Sequence, residues 1–76
     1  MADYKIRLNE VEDVKKFVHT ISDFEGDVII RSGKYAVDAK SILGIFSLNL
    51  TDELILEIEN PTEAELAKID SFLVKE

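Results

Sequence analysis

The chain contains no cysteine. That excludes disulfide staples and thiolate-held metals, and it permits a reducing compartment such as the cytoplasm. Histidine occurs once, at His19. A lone imidazole leaves no histidine pair for metal binding and no obvious base beside a nucleophile. Glycine occurs three times and is never clustered, so no glycine-rich loop is available to cradle a nucleotide phosphate. No apolar run approaches the ~18 residues of a membrane-spanning helix. The opening stretch MADYKIRLNE has no apolar segment like that of a secretory signal. Positive charge is scarce: nine Lys and Arg stand against sixteen Asp and Glu, for a net charge of −7. Nucleic acid and anionic membranes need clustered Lys and Arg, so neither is an expected partner. The acidic residues are scattered. They serve solubility, and they suit a basic partner protein better than a polyanion. No cofactor or metal is expected.

What is present suits one small folded domain over residues 1–76. Hydrophobic residues make up 46% of the chain and charged residues 33%. That is enough apolar surface for a continuous core and enough charge for a soluble shell.

The patterning is clear along most of the chain. YKIRL at 4–8 alternates, which predicts a half-buried strand with Tyr4, Ile6 and Leu8 inward. Asn9 followed by Glu12 predicts an N-cap with its capping-box partner. Val11, Val14, Phe17, Val18 and Ile21 then recur at helical spacing, so the first helix runs from about Glu10 to Ser22. DVIIR at 27–31 is β-branched and apolar, and Ser32-Gly33 is a hairpin signal. KYAVDA at 34–39 alternates, with Tyr35, Val37 and Ala39 on one face. KSILGIFSLNL at 40–50 is too short and too glycine-broken for an ordinary core helix and does not alternate strictly, so it predicts a short helical segment. DELILEIE at 52–59 alternates with Leu54, Leu56 and Ile58 inward. Either Asn60 with Glu63 or Thr62 with Glu65 caps a closing helix, whose stripe is Leu66, Ile69, Phe72 and Leu73. The order is βαββαβα. One tight hairpin among interleaved helices argues for an α+β domain: an antiparallel sheet with helices on one face.

Lys40-Ser41-Ile42-Leu43-Gly44-Ile45-Phe46-Ser47-Leu48 resembles the serine-site pattern Lys-Ser-Ile-Met-Gly-Val-Met-Ser-Leu of the HPr family, the phosphocarrier proteins of the bacterial sugar phosphotransferase system. Element order and length agree over nearly the whole chain. The resemblance implies an HPr-like open-faced β-sandwich, with four antiparallel strands and three helices on one face. It also implies a protein that is not an enzyme.

In that family a Gly-Leu-His-Ala-Arg-Pro pattern at the first helix supplies a histidine that takes phosphate from phosphoenolpyruvate by way of Enzyme I. Counting back from Ser41, Glu10 falls at the histidine position and Glu12 at the arginine position. Two carboxylates suit the helix dipole and repel a dianion. Nothing beside Glu10 supplies a metal or cation for an acyl phosphate. His19 lies in the third turn, among N–H groups already bonded within the helix, so it is no substitute. No residue is therefore assigned a catalytic role, and phosphocarrier activity is disfavoured.

Ser41 precedes a helical segment, a favoured N-cap position. The same geometry tolerates a phosphate. In Gram-positive family members this serine is phosphorylated by an ATP-dependent kinase, and the regulatory Crh branch keeps the serine while lacking the histidine. The resemblance thus implies a regulatory phosphorylation site at Ser41 and a partner surface at Leu43, Ile45 and Phe46, where the family has an exposed docking patch; the residues by themselves also allow Leu43 and Phe46 to be core, and they read Ile42 and Ile45 as pointing inward. A serine kinase or a transcriptional regulator of sugar metabolism is the implied partner. Glu12 reverses the charge of an arginine with which the family docks onto the catabolite repressor, so the reader of Ser41 is expected to be a different protein. The alternative is a scaffold repurposed for an unrelated partner, with Ser41 only a cap.

Overall fold

The structure is a computed structural model that describes residues 2–50 and 53–74. It contains β1 (Ala2–Ile6), α1 (Val11–Ile21), β2 (Val28–Ser32), β3 (Tyr35–Asp38), α2 (Ile42–Phe46), β4 (Leu54–Ile58) and α3 (Glu63–Ile69). A single 3-10 turn, Asp70–Phe72, follows α3. The four strands form one antiparallel sheet in the order β1-β4-β2-β3. The expected α+β architecture, four antiparallel strands with three helices, is what the chain adopts.

Strand alternation sets the layers. Val28, Ile30, Leu54, Leu56 and Ile58 point to the buried face, while Ile29, Ile55 and Glu57 on the other face stay partly accessible. The helices cover the first face with Val14, Phe17 and Ile21 from α1, Ile45 from α2 and Ile69 from α3. Each large side chain so removed from water contributes about 1.5–3 kcal/mol. Phe17 meets Phe72 edge to face at 5.3 Å between ring centroids, joining α1 to the closing turn.

Several boundaries differ from the sequence expectation. β1 runs Ala2–Ile6, not 4–8: its ladder with β4 ends where Ile6 meets Leu54, the first residue of β4, and the C-terminal segment pairs along the other side of this end. There the Arg7 N–H donates to the Phe72 carbonyl at 3.0 Å and the Val74 N–H to the Lys5 carbonyl at 2.9 Å. Leu8 is nonetheless fully buried. The N-cap of α1 is Glu10, not Asn9, and the box partner is Asp13, not Glu12. The hairpin loop is Gly33-Lys34, since Ser32 pairs with Tyr35. Gly33 has φ +57° while Lys34 has no positive φ, the combination of a type II′ and not a type I′ turn. Thr62 with Glu65 is the pair that caps α3, and Asn60 takes a left-handed φ of 47° just before Pro61. Leu73 pairs with Ile6 and does not belong to the helix. Asp52, expected to open β4, lies outside the described residues.

Among the described residues four large apolar side chains fall outside the core: Leu43 and Phe46 on α2, and Val11 and Tyr35. Val11, the first residue of α1, is 54% exposed. Tyr35 is 72% exposed, because it stands at the hairpin end.

Candidate functional site

The short helix α2 is built by its flanks. Ser41 adopts an extended conformation and its Oγ accepts a hydrogen bond from the Gly44 N–H at 3.2 Å, which satisfies one of the orphan donors of the first turn. Gly44 lies over Val37 of β3. A Cβ there would stand 3.2 Å from Ser41 Oγ and 3.4 Å from Val37 Cβ. Glycine thus leaves the Ser41 hydroxyl room to cap the helix, whereas Val37 would make only ordinary contact with a Cβ there. Lys40, just before the cap, is half-buried, and its Nζ donates to the Phe24 carbonyl at 2.7 Å and the Gly26 carbonyl at 3.4 Å. This clamp ties the start of α2 to the turn between α1 and β2. No local sequence signal marks this role of Lys40, since its carbonyl partners lie fourteen and sixteen residues away.

The four apolar residues of α2 divide between two faces. Ile45 is fully buried and Ile42 is half-buried. Leu43 is 81% exposed and Phe46 40% exposed. The expected partner surface therefore needs one correction. Leu43 and Phe46, three residues apart, share the outer face, but Ile45 is on the other side and belongs to the core. Ser41 is exposed at the start of the same helix. α1 packs against α2, and Val11 at its N-terminal end adds a further exposed apolar group that helical periodicity assigns to the core.

The N-terminal end of α1 is closed by the chain itself. The Asp13 carboxylate accepts from the Asn9 and Glu10 N–H groups at 3.1 Å each. A carboxylate thus occupies donors that an anion would otherwise seek. Glu10 and Glu12 are both exposed, and Glu12 pairs at 3.8 Å with Lys15 one turn on. A groove of about 550 Å³ lies alongside, lined by Arg7, Asn9, Asp13, Lys16 and Ser71 among others. Arg7 and Lys16 line this groove and bring to this end of the molecule two cations that the linear reading does not place there. His19 is exposed in the last turn, away from this end.

Among the described residues no group of three or more His, Asp or Glu is placed to hold a metal ion, and no helix is long and apolar enough to cross a membrane.

Two solved structures share this architecture. HPr-C-His from Thermoanaerobacter tengcongensis is 24% identical, with a TM-score of 0.78 over 93% of this chain and 89% of that one. A phosphocarrier protein HPr from Bacillus anthracis str. Ames is 20% identical, with a TM-score of 0.71 over 96% of each chain. At these identities the likeness speaks for the fold. No curated protein matches the chain. The family described as the PTS HPr component phosphorylation site matches residues 12–74, nearly the whole domain, including Ser41 and all of α2. Proteins of this family are phosphocarriers, not enzymes, and they work by contact with other proteins of the phosphotransferase system. Fold, element order and family match agree, and the chain belongs to the HPr family.

Proposed function

We propose that this protein is a cytoplasmic regulatory or protein-binding module of the HPr family that does not carry phosphate on histidine. Its switch is a phosphoserine at Ser41, and its contact surface is the outer face of α2, Leu43 and Phe46. The observation that carries the reading is the coincidence on one short helix of an exposed serine cap and an exposed apolar pair. A phosphate on Ser41 would bring about −1.5 to −2 charges within one turn of Leu43, at the rim of any interface that buries it. The Gly44 N–H that Ser41 Oγ now holds is available to a phosphate oxygen. Lys40 is committed to the Phe24 and Gly26 carbonyls, so a cation for the phosphate would come from the partner.

The carboxylates at the first helix support the same reading. Glu10 stands at the position that the serine-site alignment gives to the family histidine, and Asp13 fills the adjacent backbone donors. A phosphoryl dianion would meet negative charge there. The implied partners are a serine kinase and a reader of the phosphoserine among the proteins that regulate sugar use.

The test is an intact-mass measurement after incubation with ATP and the family's serine kinase, beside Ser41→Ala and a genuine HPr as positive control. Gain of one phosphate that is lost in Ser41→Ala is the expected result. No gain, with the control phosphorylated in the same tube, leaves Ser41 as a cap and the scaffold serving some other contact.

A further inference from the structure

The sheet has two edges, and they are treated differently. Beyond β1, the C-terminal segment supplies backbone partners at Arg7 and Lys5. Beyond β3 there is no further strand among the described residues. The pairing of β3 with β2 fixes which of its backbone groups face outward. Ser32 pairs with Tyr35 and Ile30 with Val37, and the Ala39 N–H donates to the Val28 carbonyl at 2.8 Å. Tyr35, Val37 and Ala39 therefore turn their backbone groups toward β2. The Ala36 N–H and carbonyl, the Asp38 N–H and the Lys34 carbonyl point the other way, into open space. The Asp38 carbonyl is already an acceptor for the Ser41 N–H. The strand Tyr-Ala-Val-Asp has no proline, bulge or inward charge; its guards are its shortness and the charges of Lys34 and Asp38, which are opposite in sign and so repel a like edge only out of register. α2 packs against β3 through Val37 in the helical layer, so it does not cap this edge.

We propose that the β3 edge is a self-association surface whose occupant is the β3 strand of a second copy of this chain. The two strands pair antiparallel about a twofold axis at Ala36. The register is set by self-complementarity. With Ala36 opposite Ala36 of the second copy, Lys34 falls opposite Asp38, and Tyr35 opposite Val37. The outward groups then match one for one: Ala36 N–H to Ala36 carbonyl, and Asp38 N–H to Lys34 carbonyl, each occurring twice. Opposite charges face each other on the open side of the sheet, and an aromatic ring meets a β-branched side chain on the helical side, both favourable cross-strand pairs. Neither Lys34 nor Asp38 has a salt-bridge partner among the described residues. Tyr35, 72% exposed in the monomer, gains cover. The product is an isologous dimer with one continuous eight-stranded sheet, and it leaves Leu43 and Phe46 on the helical layer free for another partner.

The experiment is sedimentation equilibrium on the full chain up to millimolar concentration, with native mass spectrometry, on the natural protein and three variants. Ala36→Pro removes the central outward N–H and leaves the bonds to β2 in place, as proline is tolerated on an edge strand. Lys34→Asp and Asp38→Lys each place like charges opposite one another at two symmetric positions. The natural protein is expected to reach the mass of two chains. Ala36→Pro, folded by circular dichroism, stays at the mass of one. Each charge variant alone dimerises at least about tenfold more weakly. The two charge variants mixed form a heterodimer, because the paired aspartates of one edge then face the paired lysines of the other. A natural protein that stays at one chain throughout overturns the proposal. So does a dimer that survives Ala36→Pro, or a mixture of the charge variants that forms no heterodimer.

Discussion

Ser41→Ala separates the two roles that meet at this residue. It removes one hydrogen bond, Gly44 N–H to Ser41 Oγ at 3.2 Å, and leaves the rest of α2 intact. The site is exposed, so water can take over the freed donor. The loss is then about 1 kcal/mol, the usual cost of an N-cap serine changed to alanine. Against a total stability on the order of 4–11 kcal/mol for a chain of this length, that is readily measured. Urea unfolding followed by circular dichroism should show a lower midpoint with an unchanged slope. The thermal midpoint should fall by about 4–8 °C. Ser41→Asp keeps an oxygen acceptor and adds negative charge at a helix start, so it should unfold within about 0.5 kcal/mol of the natural protein. Any loss of partner binding in Ser41→Asp then reports the charge and not an unfolded helix. An alanine variant as stable as the natural protein would show that the cap contributes nothing. An aspartate variant as weak as the alanine one would show that the geometry does not accept a charged group.

Three further outcomes follow from burial and contact. Leu43→Asp should leave the urea midpoint nearly unchanged and abolish partner capture, while Ile45→Ala, two residues on, should cost about 2–5 kcal/mol because Ile45 is fully buried; equal costs for the two would refute the division of α2 into two faces. Gly26→Ala should destabilise by several kcal/mol or abolish folding, since a Cβ there would lie 2.3 Å from the Glu59 carbonyl oxygen and backbone must move; a melting curve matching the natural protein would contradict it. A double-mutant cycle on Arg31 and Glu57, paired at 2.6 Å on the open face, should give a coupling under about 1 kcal/mol that shrinks in high salt, because Arg31 is half exposed; a larger, salt-insensitive coupling would refute that.

The sheet was legible because alternation has a period of two, and burial of one face makes that period visible in Leu54, Leu56 and Ile58. The closing helix was legible because Thr62 and Glu65 satisfy one another's backbone groups locally, at 3.0 Å in both directions. Local signals located the caps and loops less sharply. Asn9 and Glu10 are both polar ahead of an apolar run, and the choice of Glu10 as cap depends on the Asp13 carboxylate reaching back to two N–H groups. Ser32-Gly33 and Gly33-Lys34 are equally turn-like in sequence, and pairing of Ser32 with Tyr35 decided between them.

The candidate site was less legible than the fold. Ser41 as a cap needs only a hydroxyl ahead of a helical segment, and that was readable. Whether Leu43 and Phe46 face solvent depends on how α2 is rolled against α1 and β3, elements remote from it in pattern. The Lys40 clamp reaches carbonyls fourteen and sixteen residues back, and the groove beside Arg7 and Lys16 is completed by Ser71 from the other end of the chain, so no window of sequence contains either.

By itself the sequence determined the period of each element, the charge that excludes polyanions, and a nine-residue pattern that carries the HPr family. Those are properties of composition and of neighbours along the chain. Only the tertiary structure decided that Leu43 and Phe46 are exposed and that Val11 is not core, that the C-terminal segment covers the β1 edge, and that β3 is left open. Burial and edge exposure depend on what the rest of the chain packs against an element, and a local pattern does not contain that.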